Sequence, residues 1–116
     1  MLASNWLKHT GLKALAITAT LSLFAAKNAE AFTADEVLNQ MDEDQRRTYL
    51  SGLVDGLAQA RWAADNSDQT GWACITDWYY NDLQTAWDSI DQWFERHLDK
   101  PAASLLYVLI DRECGP

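Results

Sequence analysis

Beyond residue 31 the chain holds two cysteines, Cys74 and Cys114, and one histidine, His97, so metal or nucleophilic chemistry has few donors to draw on. The two cysteines lie 40 residues apart, and no pair among the three has a metal-ligand spacing. A nucleophile needs a neighbouring base that a third group orients. His97 falls on the apolar side of a helical pattern, where an imidazole ordinarily sits at the edge of a core. The run Asp65 to Gly71, DNSDQTG, brings acidic side chains together but does not make a calcium loop. Thr70 stands at the sixth position, where that loop needs glycine, and Thr76 replaces the bidentate glutamate. Carboxylates occur everywhere, which gives acid–base pairing no address. There is no glycine-rich phosphate loop. The expectation is a non-enzymatic protein with no catalytic residue, cofactor or metal.

The first 31 residues read as an export signal. Lys8 and Lys13 precede an apolar run from Ala14 to Ala26, and Ala29-Glu30-Ala31 fits a small-x-small cleavage site. That run is shorter than the roughly 20 residues needed to span a bilayer. Retention as a membrane anchor is the alternative. Cleavage leaves a domain of residues 32–116, placed in the periplasm or released beyond it. This domain has 6 Lys+Arg against 16 Asp+Glu, a net charge of −10. Nucleic acid and anionic membrane both demand basic surface, so neither is an expected partner. A domain this small buries a marginal core. An oxidising compartment supplies the remedy, a Cys74–Cys114 disulfide, with two free buried thiols as the alternative. Closing that loop is worth about 4 kcal/mol in the chain-entropy account.

Five helices in an all-α bundle should carry these groups. Thr33 and Glu36 form a capping box for a short first helix ending near Met41, with Phe32 stapled onto Val37. Asp42 and Gln45 start a second helix over about Glu43 to Ala64, with Tyr49, Leu50, Leu53, Val54, Leu57 and Ala64 on its core face. Beside that face runs a strip of small residues, Gly52, Gly56, Ala60 and Ala63. Glycine inside a helix costs about 1 kcal/mol relative to alanine, so close approach of another helix is expected there. Packing within the chain and a homodimer seam are both open. Trp72 to Tyr80 is a short helix or turn after the polar loop. Leu83 to Leu98 is cleanly amphipathic, with Trp87, Ile90, Trp93, Phe94, His97 and Leu98 on its apolar side. Pro101 begins a last helix through Cys114 that is apolar nearly all round, as a central buried helix would be.

Five tryptophans lie beyond residue 31. Trp87 and Trp93 belong to a core face. Helical period does not place Trp62, Trp72 or the Trp78-Tyr79-Tyr80 run. These five are candidate interface anchors, because amphipathic aromatic rings lose little entropy on ordering; filling a small core is the alternative.

Several of these residues together resemble the Rap/Tai-type immunity proteins of type VI secretion. The likeness rests on Tyr49-Leu50-Ser51-Gly52-Leu53-Val54-Asp55-Gly56, Cys74, Trp93-Phe94-x-x-His97, Pro101-Ala102-Ala103, Leu105-Leu106 and Cys114. It implies a small exported helical domain with one disulfide, which binds and neutralises a peptidoglycan-cleaving amidase. Trp72-Ala73-Cys74-Ile75-Thr76-Asp77-Trp78 is similar instead to the periplasmic acid-stress chaperone HdeA. That likeness implies unfolding and client protection in strong acid. With every carboxylate protonated, the domain would swing from −10 to about +7, a change able to loosen a marginal fold.

Overall fold

The computed structural model describes residues 31–116, so the expected signal segment lies outside the described residues apart from Ala31. The described chain is an all-α bundle of five helical segments: α1 (Glu36–Gln40), α2 (Glu43–Ala64), α3 (Thr70–Tyr80), α4 (Leu83–Glu95) and α5 (Ala102–Cys114). A disulfide joins Cys74 in α3 to Cys114 at the end of α5, with their Cα atoms 5.8 Å apart. No described helix is long and apolar enough to cross a membrane.

Local sequence chemistry sets most of the helix ends. At α2 the Asp42 carboxylate accepts from the Gln45 N–H at 2.8 Å. The Gln45 amide oxygen in turn accepts from the Asp42 N–H at 3.0 Å. This reciprocal box satisfies two donors that a helix N-terminus otherwise leaves unpaired. Asp82 caps α4 through the Thr85 N–H. Asp68 takes the Thr70 N–H at 2.8 Å and starts α3 two residues before Trp72. Asn66 and Ser67 adopt positive φ in the tight turn before it.

The start of the domain departs from expectation. Thr33 Oγ1 accepts from the Glu36 N–H at 3.2 Å, which is half of the capping box. The segment that follows is a single wide π-turn rather than a regular α-helix. Phe32 does not act as a staple in the core; it is 46% exposed, and its ring meets the edge of Tyr49 with centroids 5.4 Å apart. What holds residues 32–35 is backbone pairing with the α4–α5 turn. Phe32 C=O accepts from the Ala102 N–H, while Lys100 C=O and Leu98 C=O accept from the Ala34 and Asp35 N–H groups. The first bond satisfies an amide at the N-terminus of α5 that has no partner within the helix.

The core contains Ala34 and Val37 from the first segment, Leu50, Val54 and Ala58 from α2, and Ile75 and Tyr79 from α3. Ala86, Ile90 and Phe94 of α4 meet Leu105, Leu106, Leu109 and Ile110 of α5 around them. Trp87 and Trp93 pack on this core, and the Trp93 indole N–H donates to Leu105 C=O at 2.9 Å. Burial of α5 is one-sided, contrary to its composition: Tyr107 is 55% and Val108 44% exposed. Only the 105/106/109/110 side finds neighbours, because α5 forms a wall of the bundle and not its axis. Likewise α4 ends at Glu95, three residues early, and Leu98 is exposed where its carbonyl turns to meet Asp35. Ala64, expected on the core face, is exposed as well.

The small-residue strip is also corrected. Gly52, Gly56 and Ala60 are exposed, and among the described residues a Cβ added at either glycine would meet nothing within 4 Å. Helix α2 buries its opposite side, centred on Leu50, Val54 and Ala58, so the glycines face outward and no described helix packs on them. Close approach occurs instead at Gly71, which is buried against the Arg61 side chain.

Candidate functional site

Of the five candidate anchors, the structure keeps Trp72 and Tyr80 on the surface, at 38% and 43% exposure. They stand eight residues apart on the outward side of α3, about 12 Å along the axis at 1.5 Å per residue. Trp62 is half-buried. It lines a depression of about 220 Å³ with Trp72, Gln59 and Gln69, where the end of α2 meets the start of α3. Trp78 is half-buried and packs on the core.

Tyr79 is not an interface residue. It is wholly buried, and its hydroxyl lies 3.0 Å from Ser51 Oγ while accepting from the Trp87 indole N–H at 3.0 Å. One phenol thereby ties α2, α3 and α4 together. A buried hydroxyl left without such partners is costly, which accounts for both bonds. Three consecutive aromatics cannot all point one way on a helix, and Tyr79 is the one that faces inward.

Tyr80 faces the other side of that seam. Its hydroxyl donates to Asp55 Oδ1 at 2.7 Å, and its ring meets the edge of Tyr79 at 4.9 Å between centroids. Loss of water around the phenol, followed by the neighbouring Asp55 carboxylate, pushes the Tyr80 hydroxyl up to about 12. It therefore stays protonated and keeps donating. On α2, Asp55 is flanked by the exposed Gly52, Gly56 and Gln59, at positions that share one side of a helix. Tyr80 meets α2 at Asp55 and Trp72 borders it at Gln59, and both α2 residues lie on the side of that helix that carries the open Gly52 and Gly56.

His97 is half-buried, and its ring packs on Trp93 with centroids 4.5 Å apart. Among the described residues, no group of three His, Cys, Asp or Glu side chains is placed to hold a metal ion. Sequence inspection missed Arg61. Its Nε–H donates to Asp65 at 2.8 Å and one terminal N–H to Gly115 C=O at 2.9 Å, binding the end of α2 to the end of α5 beside the disulfide. An arginine and an aspartate four residues apart were visible as a helical pair, but the carbonyl 54 residues away was not.

A groove of about 670 Å³ opens at the other end of α2, with Phe32, Met41 and Tyr49 among the residues lining it. Burial pushes the Tyr49 hydroxyl above its ordinary value.

No family model matches the chain, and no curated protein or solved structure is similar to it at a significant level.

Proposed function

We propose that this chain is an exported, non-enzymatic helical binding protein that acts by protein–protein contact. On this reading it is an immunity-type protein, neutralising a peptidoglycan-cleaving amidase in the periplasm. The observation that carries the proposal is the α2–α3 face, where Trp72 and Tyr80 stand exposed beside the open Gly52 and Gly56 strip. Large rings held on a rigid helix are the usual anchors of a protein interface, and a smooth strip beside them lets a partner's backbone come close. Tyr80 is oriented before any partner arrives, because Asp55 already holds its hydroxyl. Such preorganisation lowers the entropic cost of association. The resemblance in Tyr49 to Gly56, Cys74 and Cys114 supports the immunity class, and net negative charge fits a protein partner better than nucleic acid.

The test is affinity capture from the cell envelope with the protein as bait, read by mass spectrometry at neutral and acid pH. Recovery of one peptidoglycan hydrolase by the native protein, and its loss with Trp72→Ala/Tyr80→Ala, is the expected result. A broad set of clients recovered only in acid would replace the proposal with an acid-stress chaperone. Self-association as the sole result would make the face a homodimer seam.

A further inference from the structure

From the groove between the first segment and α2 we infer a second binding site, selective for a peptide segment that carries lysine or arginine beside bulky apolar residues. The site lies at the far end of α2 from Trp62 and does not depend on which partner the α2–α3 face takes. Its floor is apolar: Phe32, 46% exposed, stands edge-on to Tyr49, with Met41 beside them. Its rim is acidic, carrying Glu36 and Asp44, and among the described residues no Lys, Arg or His side chain lines it. Cleavage after Ala31 would place one cation at this end, the α-ammonium of Phe32, against the carboxylates of Glu36 and Asp44; the arginines at the start of α2 are engaged in other contacts. Arg46 donates to Leu38 C=O, and Arg47 pairs with Glu43 while its guanidinium lies 3.9 Å from the centre of the Trp87 ring. Asp42 adds further negative charge at the start of α2.

Charge complementarity selects the occupant. A neutral apolar segment would cover Glu36 and Asp44 without compensating them, and an acidic one would be repelled. A lysine or arginine meets the rim with its charged end and can lay its methylene stem on the rings. Neighbouring leucine or phenylalanine side chains then cover Phe32 and Met41. The floor is already in place, because Phe32 C=O holds the Ala102 N–H at 2.8 Å and Thr33 caps the π-turn. A groove of this size also falls within the range of sites that enclose a few side chains.

The experiment titrates isotope-labelled protein with a short Leu/Lys peptide of helical period, followed by amide chemical shifts. Two control peptides replace every Leu by Ser or every Lys by Glu. Saturable shifts confined to residues 32–49 with the Leu/Lys peptide alone are expected. Affinity should fall roughly tenfold in Glu36→Gln/Asp44→Asn, whose carboxylates are gone but whose shape is kept. Phe32→Ser should weaken binding while circular dichroism shows an unchanged fold. Equal binding of the Ser control, or shifts spread over the acidic surface, would reduce the site to unspecific charge attraction and overturn the inference. Concentration-dependent shifts of the groove without peptide would assign it to a second copy of the chain. Absence of saturable binding would also overturn it.

Discussion

Gly71 lies directly against the guanidinium side of Arg61: a Cβ at Gly71 would stand 2.6 Å from Arg61 Nε and 2.8 Å from Cγ. Arg61 cannot easily yield, because Asp65 holds its Nε–H and Gly115 C=O a terminal N–H. Gly71→Ala should therefore cost about 1–3 kcal/mol through overpacking. Gly52→Ala and Gly56→Ala should each gain up to about 1 kcal/mol, since those positions are open and helical. Urea denaturation of the three variants checks the opposite signs. A stability loss at Gly52 or Gly56 would mean that the strip has a neighbour.

Tyr79→Phe removes only a hydroxyl, yet that oxygen serves Ser51 on α2 and Trp87 on α4. The part-buried indole N–H loses its acceptor, so the variant should lose about 1–3 kcal/mol. Tyr80→Phe should lose less, because its bond to Asp55 is exposed. Equal losses would show that the two tyrosines have been given the wrong roles.

Which features were legible before the structure follows from how local they are. The Asp42–Gln45 box and the Pro101 helix start depend on neighbours in the chain, and two cysteines allow only one pairing. The Gly71–Arg61 contact joins the start of α3 to the end of α2, and in sequence a glycine beside a polar run looks like any turn residue. Gly52 and Gly56 misled for the converse reason: their helical cost implied a compensating contact that the described residues do not supply. Within Trp78-Tyr79-Tyr80 every residue is apolar enough for either side, so hydrophobic period could not tell the buried Tyr79 from the exposed Tyr80. The groove at Phe32 escaped notice because it depends on backbone bonds to Ala102 and Lys100, about 70 residues away.

Asp91 on α4 supplies a pH test. Burial raises its carboxyl pKa above the ordinary 3.8, Arg46 opposes that rise, and Glu95 and Asp88 add to it. An acid with a raised folded-state pKa penalises folding above that pKa, and the penalty fades as pH falls through it toward the ordinary value. Asp91→Asn should thus be more stable than the native protein at neutral pH, and the gap should close by about pH 4. Urea midpoints across that range measure it. Lower stability of the variant at neutral pH would mean that attraction to Arg46 outweighs burial.

The disulfide joins α3 to α5 across a loop of 40 residues. Cys74→Ser should lower stability by about 2–5 kcal/mol and leave the domain sensitive to protease. Intact mass and thiol labelling of periplasmic material should find no free thiol in the native protein. Two reduced cysteines there would contradict the stapled domain and the proposed export.

The claim that Trp72 and Tyr80 anchor an inhibitory contact is tested most directly by titrating the captured peptidoglycan hydrolase with this protein and following substrate cleavage. Native protein should abolish cleavage at about equimolar ratio. The folded Trp72→Ala/Tyr80→Ala variant should need at least about tenfold more, as expected when two aromatic anchors are truncated. Undiminished cleavage under an excess of native protein, or equal inhibition by the variant, would contradict the account.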